Sequence, residues 1–267
     1  MTAIKKLMNL SGRSVVITGA TGNLGTVMCH SLAELGAEII LIDRHGSDFT
    51  KLKKEIILKW SVDCYSYECD LEIEEDRKKV IKEILSTHRH ISCLVNNAAF
   101  VGTSTLSGWG VPLKDQSLET WRRAMEVNVT AVFHLSQALA PTLKKSDGGN
   151  IINISSIYGE HGPDWSLYEG LDMNSPAAYA VSKGGVNQLT RWLATTLSPE
   201  IRVNAIAPGG IFRGQPKKFI ERYEIKTPLG RMATEDDFRG AIAYLASDLS
   251  SYVTGQVLQV DGGWGVW

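Results

Sequence analysis

Short β-branched runs alternate with longer segments of helical apolar spacing along the chain. The runs are Ser14–Thr18, Glu38–Ile42, Asp63–Tyr67, Ile91–Asn96, Asn150–Ser155, Arg202–Ile206 and Val257–Val260. Between them the spacing predicts helices over Leu24–Leu35, Thr50–Lys59, Ile73–Thr87, Leu118–Leu143, Pro176–Leu197 and Thr234–Ala246. Such alternation predicts an α/β fold, a doubly wound parallel sheet of about seven strands with helices on both faces. Several runs are apolar on both parities, as strands covered on two sides require. No internal repeat or low-complexity linker breaks the pattern, so residues 1–267 read as one domain.

Composition narrows the class. The chain carries 28 basic and 29 acidic residues, a formal charge of −1, and is 43% hydrophobic. A near-neutral chain lacks the strongly basic grip that nucleic acid selects for. No window approaches the ~20 apolar residues of a membrane span, and the start lacks a signal-type apolar core. The cysteines Cys29, Cys64, Cys69 and Cys93 form no CxxC pair, and no HExxH occurs. A zinc site, a disulfide framework and a metal hydrolase are therefore disfavoured. The expectation is a reduced, cytoplasmic protein with no metal, nucleic-acid or membrane partner.

The first chemistry lies after the first strand, in Thr18-Gly19-Ala20-Thr21-Gly22-Asn23-Leu24-Gly25. Glycines permit a tight turn and let backbone N–H groups reach a pyrophosphate at a helix N-terminus. A glycine triplet gains weight when it follows a strand and opens a helix within a βαβ unit, the Rossmann-type context. Asp43 ends the second strand at the offset of an acid that bonds adenosine ribose hydroxyls. A carboxylate there repels a 2′-phosphate, which favours NAD over NADP. Arg44 follows at once and keeps NADP open as the alternative.

Further signatures join this loop: Asn96-Asn97-Ala98-Ala99, Asn128 in Val127-Asn128-Val129, Ser155-Ser156, Tyr179-Ala180-Val181-Ser182-Lys183, Pro208-Gly209-Gly210-Ile211 and Val260-Asp261-Gly262-Gly263. With them the chain resembles the short-chain dehydrogenase/reductase family, compact type, over residues 11–263. The resemblance implies Tyr179 as general acid/base and Lys183, one helical turn on, as the group that lowers the phenol's pKa and bonds the nicotinamide ribose. It implies Ser156 as the serine that holds the substrate oxygen, and Asn128 as the anchor of a proton-relay water. Asp70 and Leu71 resemble the pair lining the adenine pocket, although Asp70 equally suits a helix cap. Asn97, Ala98 and Ala99 would run along the cofactor, with Pro208, Gly209 and Ile211 near the carboxamide. A homodimer or homotetramer is implied, built on the helices Leu118–Leu143 and Pro176–Leu197. The apolar end Trp264–Trp267 is expected at a subunit interface or over a neighbouring pocket.

Three departures from the family pattern stand out. The glycine spacing TGxxGxxG is that of larger sugar-nucleotide enzymes, yet the chain has no room for their second domain. Ala99 replaces a glycine. Arg213 stands where a threonine usually contacts the cofactor, and would meet the pyrophosphate or a substrate anion, or remain a solvated loop residue.

Substrate choice then falls to two inserts, 160–178 and 212–228. The first carries Trp165 and Tyr168, with Tyr158 just before it; aromatic faces beside carboxylates and amides suit a sugar or polyol, and a packing role is the plain alternative. The second carries Arg213, Lys217, Lys218, Arg222 and Lys226 against Glu221 and Glu224, an excess that suits an anionic substrate unless it is a solvated helix face. The loop Val101–Leu113 borders the same cleft. A weaker subgroup resemblance points to dehydrogenases associated with flagellin modification and nonulosonate sugars. The resulting expectation is hydride transfer between NAD(H) and a secondary alcohol or ketone of a sugar derivative, phosphorylated or nucleotide-linked forms included. The alternatives are an NADPH-dependent ketoacyl or carbonyl reductase, and a dinucleotide-sensing protein without turnover.

Overall fold

The structure is a computed structural model and describes residues 2–101 and 106–267. A short helix α1 (Ile4–Met8) leads into β1 (Ser14–Thr18), α2 (Asn23–Glu34), β2 (Glu38–Asp43), α3 (Phe49–Trp60), β3 (Cys64–Glu68), α4 (Glu74–Thr87) and β4 (Cys93–Asn96). The second half contains α5 (Leu118–Met125), α6 (Ala131–Leu143), β5 (Gly149–Ile154), α7 (Ala177–Leu197), β6 (Ile201–Pro208), α8 (Lys217–Lys226), α9 (Arg239–Ala246) and β7 (Val257–Val260). The strands form one sheet in the order β3-β2-β1-β4-β5-β6-β7, each pair parallel. This is a Rossmann-type fold. Strand order reverses between β1 and β4, and ligands of such sheets bind in the crevice at the carboxyl ends of the strands there.

Side-chain alternation explains the two faces. Val15 and Ile17 of β1, with Ile39 and Leu41 of β2, pack with Met28, Leu32 and Ile242 from α2 and α9. Val16, Ile40 and Ile42 point the other way, onto Val80, Ile84, Leu135 and Leu193 from α4, α6 and α7. Each such buried aliphatic side chain is worth roughly 1.5–3 kcal/mol.

The expected strands appear with shifts of a residue or two at their ends. The expected helix Leu118–Leu143 is broken by a π-turn at Glu126–Thr130. The turn contains Asn128, whose side chain bonds elsewhere, as described below. Helix α8 falls within the expected 212–228 insert and buries Phe219 and Tyr223, an i,i+4 pair on one face. A third apolar cluster joins Ile157, Leu167, Phe219, Tyr223, Met232 and Trp264, so the insert after Ser156, helix α8 and the C-terminal turn pack together.

Candidate active site

A cleft of about 900 Å³ runs along the strand ends. At its floor Gly19 adopts φ +63°, and a Cβ there would lie 2.9 Å from Ala98 Cα, so only glycine lets β1 and β4 approach this closely. A Cβ at Gly25 would overlap the Gly19 carbonyl. Gly22 caps α2 with no side-chain bond, which leaves the first N–H groups of the helix, from Asn23, Leu24 and Gly25, for an anionic ligand. Thr18 Oγ1 accepts from the N–H groups of Asn97 (3.1 Å) and Ala98 (3.0 Å). The Asn97 amide donates to the Thr18 and Gly19 carbonyls at 2.9 and 3.0 Å. Asn97 thus lines the cleft while its amide pins the glycine loop.

At the outer end, Asp43 Oδ2 accepts from Thr21 N (2.8 Å) and Thr21 Oγ1 (2.7 Å), and Oδ1 from Arg44 N (2.8 Å). A carboxylate accepts about four such bonds, so the loop itself occupies much of the capacity expected to serve a ribose. Asp70 closes a turn by accepting from Glu72 N at 2.9 Å, and Ile73, not Asp70, is the N-cap of α4. Asp70 and Leu71 line the cleft, as do Arg44, Ala98, Ala99, Pro208, Gly209, Ile211 and Arg213. The cradle, the uncapped helix and the acid at the end of β2 fit a dinucleotide.

At the inner end, Tyr179, Lys183 and Ser156 line the same cleft. Lys183 Nζ donates to the Ile154 carbonyl at 2.6 Å and stands 5.7 Å from the centre of the Tyr179 ring. Burial lowers the lysine's pKa to about 8. Burial also raises that of Tyr179, opposed by its hydrogen bond with Ser156. This corrects the expected lowering by Lys183: the ammonium is turned to Ile154, and burial penalises both charged forms. Ser155 donates to the Lys183 carbonyl at 3.3 Å and ties β5 to α7. Asn128 is buried behind the wall. Its Oδ1 accepts from Phe100 N (2.6 Å), and its Nδ2 donates to Phe100 O (3.2 Å) and Ser182 Oγ (2.9 Å). Its carboxamide is therefore committed to the protein.

The substrate side departs most from expectation. Tyr158, Trp165 and Tyr168 do not line the main cleft. Tyr158 bonds Tyr168, hydroxyl to hydroxyl, at 2.7 Å. Burial pushes both phenols up. Trp165 and Tyr168 border a separate outer groove of about 480 Å³ with Glu169 and Asn174. Arg213 reaches the cleft, but its guanidinium pairs with Glu235 and donates to the Phe212 carbonyl. Lys226 pairs with Asp164, Lys217 with Glu221, and Arg222 donates to the carbonyls of Leu167 (3.2 Å) and Glu169 (2.7 Å). Arg222 and Lys226 thus hold the two inserts together, while Arg213 and Lys217 pair elsewhere, which weakens the argument of 212–228 for an anionic substrate. Trp264 stacks on Tyr223 of its own chain, centroids 5.9 Å apart, while Trp267 is 85% exposed. Of the loop 101–113, Gly102 lies outside the described residues.

A family description, enoyl-(acyl carrier protein) reductase, matches residues 19–265. The flagellin modification protein A of Campylobacter coli is 32% identical over 96% of this chain and 100% of its own length. The chain belongs to the short-chain dehydrogenase/reductase family. Among solved members, a gluconate 5-dehydrogenase from Burkholderia cenocepacia in complex with NADP and tartrate is 28% identical, with TM-score 0.87, over 99% of this chain and 100% of the other. A xylitol dehydrogenase with bound NAD+ is 29% identical, with TM-score 0.84, over 95% and 99%.

In this short-chain dehydrogenase/reductase the cleft also contains residues that the motifs do not announce. Ser47, Glu72, Phe100, Leu106, Arg123 and Val127 complete the cleft. Arg123 binds Glu72 through two bonds, 2.8 and 3.1 Å, and stacks on the Phe100 ring at 4.9 Å. Their positions in sequence carry no spacing signal, because the pairing crosses two elements. Among the described residues no group of three His, Cys, Asp or Glu side chains could hold a metal, and no helix is long and apolar enough to cross a membrane.

Proposed function

We propose that the protein transfers a hydride between NAD(H) and a secondary alcohol or ketone of a sugar or sugar derivative, with Tyr179 as general acid/base. The observation that carries this reading is one continuous cleft. Its outer end holds the glycine loop and Asp43, and its inner end holds Ser156, Tyr179 and Lys183. A bound nicotinamide would supply the hydride acceptor or donor. In the oxidative direction Tyr179 takes the hydroxyl proton, and Ser156, which lines the same end of the cleft, orients the substrate oxygen. Lys183, with a pKa of about 8, carries charge at neutral pH and would bond the nicotinamide ribose. Asn128 fixes Phe100 and Ser182, hence the wall and the start of α7, around that pair.

Asp43 supports NAD, since its negative charge opposes a 2′-phosphate. The polyol and sugar-acid dehydrogenases among the relatives support a carbohydrate substrate. We further read the chain as one cytoplasmic domain that forms a homodimer or homotetramer; exposed Leu118, Phe133, Val181 and Trp192 on α5, α6 and α7 support that contact. A second reading, an NADPH-dependent ketoacyl reductase, is favoured by Arg44, which borders the cleft and makes no side-chain bond among the described residues. Calorimetric titration with NADH and NADPH should give at least about tenfold tighter NADH binding. Cofactor-reduction assays over polyols, sugar acids, sugar phosphates and nucleotide sugars, with an acetoacetyl thioester alongside, should yield turnover in the carbohydrate arm. An NADPH preference with thioester turnover alone would establish the second reading instead. Tight NADH binding with no turnover in either arm would leave a dinucleotide sensor.

A further inference from the structure

Helix α4 buries a stripe of Val80, Ile81 and Ile84, and Arg77 stands on the same stripe. Its side chain is fully buried, at 1% exposure. A guanidinium taken out of water is strongly unfavourable unless it is paired and bonded on all sides. Here Nη1 donates to the Leu71 carbonyl, Nη2 to Glu126 Oε1 at 2.6 Å, and Nε to His134 Nδ1 at 3.2 Å. Leu71 belongs to the outer wall of the cleft. Glu126 opens the π-turn that carries Asn128. A π-turn holds one residue more than an α-turn and persists where side chains retain it. A second arginine joins the same two regions: Arg123 grips Glu72 and lies on the ring of Phe100, whose N–H bonds Asn128 at 2.6 Å. The wall at residues 71 and 72 is thus tied to both sides of Asn128.

We propose that Arg77 is a positioning residue. It links the wall that receives the adenine to the π-turn that sets Asn128, so that dinucleotide bound at one end of the cleft organises the other. This rests on the dinucleotide reading above. Lysine cannot replace it, because three diverging donors in one plane are needed.

AMP fills the adenine end alone and serves as the probe. Hydrogen exchange would be followed at residues 69–72 and 126–130, with and without AMP, in wild type, Arg77→Lys and Glu126→Gln. The second variant keeps the shape of a half-exposed side chain and guards against a folding defect in the first. AMP should slow exchange at both segments in wild type, by about tenfold at 126–130. In both variants it should slow exchange at 69–72 while protection at 126–130 falls below about twofold. In turnover, both variants should lose kcat about tenfold with the dinucleotide KM little changed. Protection at 69–72 without protection at 126–130 in wild type, or equal protection at 126–130 in wild type and variants, would overturn the proposal alone. No protection at 69–72 in wild type would overturn the dinucleotide reading and this proposal with it.

Discussion

The cofactor side of the cleft and the aromatic block beside it are built differently. The cofactor side is a matter of backbone: Gly19, Gly22 and Gly25 let β1, β4 and the start of α2 approach, and Thr18 and Asn97 tie the loop through main-chain groups. The aromatic block formed by the two inserts and the C-terminal turn, which does not line the cleft, is a matter of side chains. Tyr158, Tyr168, Phe219, Tyr223 and Trp264 interlock from three distant segments, and Arg222 and Lys226 staple helix α8 to the insert. The first construction tolerates almost no added atom, since close-packed backbone cannot yield. The second can repack.

The comparison breaks hardest at Gly25. Gly25→Ala places a Cβ on the Gly19 carbonyl, and NADH affinity should fall about 100-fold, or about 3 kcal/mol. Near-ultraviolet circular dichroism of the aromatic block should stay unchanged. Loss of both signals together would show that the two sides are one unit.

Lys183 tests the inner end through pH. Its pKa is 10.5 when free and about 8 in the fold. Between those values the unfolded chain holds the proton and the folded chain does not, so this group makes stability rise with pH from about 8 toward 10. Relative to Lys183→Met, wild type should gain up to about 3 kcal/mol over that window in urea unfolding. Burial of the four cysteine thiols raises their pKa values and drives the opposite drift in both proteins, so the difference is the quantity to read. A constant difference across the window would place Lys183 in water.

Tyr223 belongs to both sides: its hydroxyl accepts from Gly210 N at 2.6 Å while its ring stacks on Trp264. Tyr223→Phe leaves that N–H unpaired and should cost about 1–2 kcal/mol, weakening NADH binding and substrate binding together. An effect on substrate alone would sever the link. The smallest effect is expected from Arg222→Ala, which frees the insert carbonyls at the surface. Substrate KM should rise a few-fold, stability fall by at most about 1 kcal/mol, and NADH affinity hold. A matching loss of NADH affinity would erase the distinction between the two sides.

The same difference explains what the sequence could disclose. The strands, the glycine loop and Asp43 follow from local spacing, and the residues expected to hold cofactor all line one cleft. The partners were not legible. Thr21 on Asp43, Glu235 on Arg213 and Asp164 on Lys226 are pairings across 22 residues or more, and nothing in either member's surroundings announces the other. The π-turn was hidden because a helix with one inserted residue keeps nearly the same apolar period. Trp264 read as a tail seeking a partner because its stacking mate, Tyr223, lies on a helix whose charges dominate the pattern.

The central claim is that the inner end of the cleft moves a proton at Tyr179 while the outer end holds the dinucleotide. Tyr179→Phe tests it most directly. NADH affinity should match wild type within about twofold, and the rate of nicotinamide reduction by the best carbohydrate substrate should fall about 1,000-fold. A variant that binds NADH normally and retains turnover within about tenfold of wild type would contradict it.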